Sequence, residues 1–421
     1  MTHIPWMRTV MLNKEFGILL LALLVVMTGY GALLPVLPFF VERLALAEGL
    51  SENSVLLHFG ILTAIYPATI VFTAPFWGHV SDKVGHKPLI VIGLAGFVLM
   101  QLLTGLSTTL FMLYVARIVG SLFSSFLVLV INAYISDITA EKERSQAMAW
   151  SGTAVSVGVV VGPGISGVLA KNDLHLSWRM GHFLMDRYSV SFFALAALGM
   201  VVLIVSLLGL KWVKKSIASE PGKVKVRIFR RDRWKQLTVL LTLSLTIQLA
   251  ITMFETTFSL YARGVSNYPA AFIGVGLLVC GGVMAVFQPL VVNWGNRLIP
   301  HVSAQILYGF LTAGTALMLL AVTQESALIL LTIGLFALGA SLAIPNLLAA
   351  VSLKGGNSPG QVLGIQSAFN GVGQIIGPLA GTGLYAVAEP APFITGGMLL
   401  LTASLLQVKV ILKTKSLLNK T

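Results

Sequence analysis

The chain has 421 residues, of which 56% are hydrophobic and 10% charged, and its mean hydropathy is +0.90. Soluble proteins carry about 25% charged residues, so this composition excludes an ordinary soluble enzyme and leaves lipid as the solvent for most of the chain. The formal net charge of +13 raises nucleic acid as a partner, but the basic residues fall in short loops between apolar runs without interleaved aromatics, which argues against it.

A membrane-crossing helix needs roughly 20 mostly apolar residues. Runs of that kind predict twelve spans: 16–40, 55–77, 88–106, 109–135, 147–170, 189–211, 237–262, 271–292, 302–322, 326–350, 361–386 and 391–411. The first run is too long for a signal peptide and ends in Pro35 and Pro38 without a small-residue cleavage site, so it reads as a retained helix. The single Cys280 lies in an apolar stretch and reads as a small packing residue. Nothing in the sequence calls for a metal, a cofactor or a catalytic group.

Alternate connections differ sharply in Lys and Arg. The side holding both termini and the 211–236 loop carries 22 of the 28, the other side carries five, and Arg117 lies inside a span. The positive-inside rule then makes the termini and that loop cytoplasmic. The loop also divides the chain into a six-helix half at 1–211, a basic linker at 212–236 and a second half at 237–421. The fifth-span segment holding Gly158, Gly162, Pro163 and Gly167 can be laid on the eleventh span at an offset of 215 residues, the distance from Gly162 to Gly377.

 

Residue by residue, the offset lays Gly158 on Gly373, Gly162 on Gly377 and Pro163 on Pro378, while Gly381 falls on Ser166, beside Gly167. An even number of spans separates the copies, so they share an orientation, as in two parallel six-helix bundles.

The loop after the second span reads Gly78-His-Val-Ser-Asp82-Lys83-Val-Gly85-His86-Lys87. It resembles the G-x-x-x-D-(R/K)-x-G-(R/K)-(R/K) signature of the major facilitator superfamily, with histidine at 86 as a departure. Gly31 to Phe40 in the first span, Leu113 to Gly120 around Arg117 in the fourth, and the Gly158–Gly167 segment resemble motifs of its twelve-helix drug:proton antiporters. The resemblance implies an all-α membrane fold of two pseudo-symmetric bundles in a bacterial cytoplasmic membrane. It further implies that Asp82, Asp137 and Arg144 form a cytoplasmic charge network governing gating, and that the Gly162-Pro163 motif marks an exporter. Read on its own physics, that motif packs helices closely and bends one of them.

Arg117 and Glu255 are the ionisable residues deep in spans, roughly 12 Å and 10 Å from the outer ends of their helices at about 1.5 Å per residue. Each costs a few kcal/mol there without water or a partner, which makes both functional candidates. Phe254 to Tyr261 resembles the seventh helix of quinolone-type exporters of Gram-positive bacteria, and the resemblance implies a protonating role for Glu255. The second acid of those pumps is missing from the matching stretch Leu338 to Asn346. Tyr30 and the amides Asn132, Gln248, Asn346, Gln366 and Asn370 either line a hydrophilic path or bond across helices. The function expected is proton-coupled export of small amphipathic molecules such as drugs, by a monomer. Export of an anionic or zwitterionic metabolite or siderophore, and a facilitator or importer without proton antiport, are the alternatives.

Overall fold

The computed structural model describes residues 14–139, 141–170, 178–180, 183–185, 188–211, 231–264, 268–354 and 359–418. Most of the 212–236 linker and of the 171–188 connection lies outside them. Thirteen helices occur among the described residues: α1 (Lys14–Ala47), α2 (Glu52–Val84), α3 (His86–Gly105), α4 (Leu110–Ser124), α5 (Leu127–Ile138), α6 (Glu141–Leu169), α7 (Ser189–Gly209), α8 (Arg231–Gly264), α9 (Ala270–Leu298), α10 (Val302–Leu320), α11 (Ser326–Lys354), α12 (Pro359–Val387) and α13 (Ala391–Leu418). A short antiparallel pair, Trp178–Met180 with Phe183–Met185, lies between α6 and α7.

Among the described residues, ten segments are long and apolar enough to cross a membrane, with α4 and α5 counted together as Leu110–Ile138. Twelve spans were expected. Helix α12 is long, but Gln361, Gln366, Asn370, Gln374 and its glycines lower its hydropathy, and the apolar stretch of α13, Ala391–Leu405, is shorter. Several helices run past the apolar limits read from the sequence, because a hydrogen-bonded backbone continues into polar flanks at no cost to the bilayer.

The chain forms two compact units, Met1–Val55 with Ile65–Val224 and Leu56–Ala64 with Lys225–Thr421. In the first, α1 packs along α6 and α7, and α3 packs on α4 and α7. Its core runs from Phe16, Leu19 and Leu23 through Leu94 and Phe97 to Leu127, Ile131 and Tyr134. The second repeats the scheme: α8 packs along α12 and α13, and α10 packs on α11 and α13. The equivalent partners are found independently in each unit, as an internal duplication requires.

Candidate functional site

Two of the quoted motifs meet in one seam of the first unit. A Cβ at Gly158 would stand 2.5 Å from the Leu24 carbonyl oxygen, and one at Gly162 would collide with the Thr28 carbonyl and stand 2.6 Å from Ala32 N. From the other side, a Cβ at Gly31 would stand 2.5 Å from the Val159 carbonyl oxygen and 2.9 Å from Pro163 Cδ. Gly167 and Pro163 are buried. The second unit builds the same seam, with Gly373 against Leu245 and Leu249, and Gly377 against Leu249, Thr252 and Met253.

Arg117 on α4 is 3% exposed. Its Nη1 lies 3.8 Å from Met100 Sδ, and its Nε has no hydrogen-bond partner among the described residues. The Tyr30 and Tyr66 hydroxyls lie within electrostatic reach, and their rings are 5.6 Å apart. Buried Gln101 Nε2, Thr104 Oγ1 and Ser121 Oγ also lack partners among the described residues. Tyr66 and Gln101 were not anticipated, since only packing against Tyr30 and Gly29 brings them to this region.

Glu255 on α8 is partly buried. Phe254 and Phe258 beside it are fully buried, and Phe254 lies 4.9 Å from the Phe336 ring of α11. No hydrogen bond or ion pair to the Glu255 carboxylate is found among the described residues; only its backbone carbonyl accepts, from Ser259 Oγ at 3.4 Å. Cys280 is buried.

The amides divide. Asn132 accepts a short hydrogen bond from Ser151 Oγ. Asn346 donates to Gln305 Oε1 at 2.8 Å and to the Leu342 carbonyl at 2.7 Å, and Gln366 donates to Ser244 Oγ at 2.9 Å. These three join neighbouring helices. Gln248 is partly buried, and Asn370 Oδ1 is buried without a partner among the described residues.

At the turn between α2 and α3, Gly85 has φ +88°, a conformation that favours glycine. Lys87 donates to the Leu210 carbonyl at 2.6 Å, and Asp137 accepts from His86 Nε2 at 2.9 Å. Lys83 and Arg144 are exposed. Gly78 falls within α2, and the Asp82 side chain lies outside what is described. A buried Glu15, which the sequence reading did not single out, takes a bond from Tyr134 at 3.0 Å and pairs with Lys211 at 3.3 Å.

The profile of the Major Facilitator Superfamily matches residues 19–378. Multidrug resistance protein 1 of Bacillus subtilis (strain 168) is 27% identical over 385 residues, spanning 90% of this chain and 92% of its own. Quinolone resistance protein NorA of Staphylococcus aureus (strain COL) is 25% identical over 383 residues, with the same coverage. Among solved structures, the human organic anion transporter MFSD10 (TETRAN) superposes with a TM-score of 0.65 at 21% identity, covering 94% of this chain and 99% of that one, which supports the fold alone.

Proposed function

The chain belongs to the major facilitator superfamily and is a multi-pass membrane transporter of small molecules, not an enzyme; from that premise we propose that it is a proton-coupled exporter of small amphipathic molecules. The observation that carries this reading is Glu255, an acid within an apolar helix whose carboxylate has no protein partner among the described residues. A carboxylate so placed is costly when charged and cheap when protonated. In the proposed cycle a proton neutralises Glu255, the two halves exchange access from one side of the membrane to the other, and substrate binding expels the proton. The relatives named for multidrug and quinolone resistance support export of amphipathic solutes.

The same reading takes 1–211 and 237–421 as the moving halves, joined by the basic linker, with twelve spans and both termini in the cytoplasm of a bacterium. Asp82, with Asp137 and Arg144, governs switching between states. Tyr30, Gln248 and Asn370 face the solute, since the other amides are engaged between helices. A second reading, export of an anionic or zwitterionic metabolite, is favoured by Arg117, a buried cation with no ion pair among the described residues.

Reconstituted liposomes loaded with a pH-sensitive dye test both readings. Ethidium, norfloxacin and benzoate supply a cation, a zwitterion and an anion. Export coupled to protons predicts that at least one of them moves with an opposite proton flux. Solute movement without proton flux would favour a facilitator.

A further inference from the structure

Four polar atoms along the α3–α4 contact of the first unit have no hydrogen-bond partner among the described residues: Arg117 Nε, Gln101 Nε2, Thr104 Oγ1 and Ser121 Oγ. Their residues are 3% exposed or less, so solvent does not reach them. The packing of the two helices sets them along one seam. Gly93 meets Leu127, Gly96 meets Phe123 and Gly120 meets Met100, which makes α3 and α4 antiparallel neighbours. One turn further on, Thr104 comes level with Arg117. Gln101 and Thr104 stand three positions apart on α3, and Arg117 and Ser121 four apart on α4, spacings that put each pair on a single helix face.

The chemistry of this set is one-sided. Guanidinium and amide nitrogens only donate hydrogen bonds, and both hydroxyls can donate as well. Arg117 Nη1 reaches Met100 Sδ at 3.8 Å, a weak acceptor. Carboxylates of the same unit are engaged at helix ends: Glu15 pairs with Lys211, Glu48 accepts from Leu110 N at 2.8 Å, and Asp137 accepts from His86. The Tyr30 and Tyr66 hydroxyls near the guanidinium belong to phenols, which are ordinarily uncharged at neutral pH. A water molecule can accept from two of these donors, but it leaves the positive charge uncompensated, and a buried charge is costly unless paired. A small anion meets both needs, because it accepts from every donor and neutralises the guanidinium.

We propose that Arg117, Gln101, Thr104 and Ser121 hold a resident monovalent anion of the size of chloride between α3 and α4. Gln101 Nε2 also borders α1, where a Cβ added at Gly29 would stand 3.1 Å from it, so the ion sits where three helices of the unit come together. Its donors are sealed from solvent, which suits a bound ion that stays in place rather than a solute that enters and leaves. The ion compensates Arg117 without drawing on the exported molecule, and the proposal rests on neither export reading.

Thermal unfolding of the purified full chain in detergent tests this, with sodium gluconate, whose anion is too bulky for a sealed site, replaced stepwise by sodium chloride or bromide at constant ionic strength. At about ten times the dissociation constant, the midpoint should stand roughly 2–4 °C higher in halide, and the rise should saturate. Arg117→Gln should abolish the rise. If that variant does not fold, Thr104→Val combined with Ser121→Ala should raise the half-saturating chloride concentration by roughly threefold or more. Crystals grown in bromide should show an anomalous-scattering peak beside Arg117 Nε. A midpoint indifferent to halide, an equal rise in folded Arg117→Gln, an unchanged half-saturating concentration in the double variant, or water in place of the bromide peak would overturn the site. None of these readouts contains a transport step, so they stand apart from whether the chain exports drugs.

Discussion

A lone ionisable side chain in an apolar helix is rare because hydrocarbon penalises it, and that rarity made Glu255 and Arg117 stand out in the sequence. The pairs at the helix ends were not legible in the same way. Glu15 lies one residue into α1 and looks like a solvated flank, yet it is 8% exposed and bonded to Tyr134, 119 positions later. Only the packing of α1 on α5 brings them together. Tyr134→Phe removes the hydroxyl that donates to the buried Glu15 carboxylate, a loss of about 1–3 kcal/mol. Thermal unfolding in detergent should show a lower midpoint for that variant, and an unchanged midpoint would mean that water replaces the hydroxyl.

At the scale of elements, the Gly31 and Gly158–Gly167 motifs were separate features of the sequence and are one seam in the fold. Glycine spacing revealed that close packing was required, but not which helix was the partner, because spacing along one helix carries no information about its neighbour. Gly162→Leu places a side chain where the α1 backbone already stands, so it should sharply lower the yield of folded protein in fluorescence-detected gel filtration. Gly152 on the same helix meets nothing within 4 Å among the described residues, and Gly152→Ala should be tolerated or stabilise the helix by up to about 1 kcal/mol. Equal losses for both variants would show that helix α6 tolerates no change at all, and the seam would lose its special status.

For the whole molecule, hydropathy gave the helical class and the positions of most spans, since length and apolarity are direct requirements of the bilayer. It was least informative for α12, where the amides and glycines that serve packing against α8 reduce the very signal used to find a span. The repeat was legible at Gly162 and Gly377 because the same close approach is needed in both units. Orientation rests on the Lys and Arg asymmetry, and reporters fused after Thr421 and within 214–232 should both read cytoplasmic. An external signal at either site would contradict the twelve-span arrangement.

Proton coupling through Glu255 is tested most directly in liposomes containing purified Glu255→Gln protein, with an imposed pH gradient and a solute that the wild type accumulates. Glutamine keeps the size and hydrogen-bonding capacity of the side chain but cannot cycle a proton. The variant should still bind the solute and exchange it across the membrane, while accumulation against its gradient is lost. Gradient-driven accumulation at the wild-type level by Glu255→Gln would contradict carboxylate coupling.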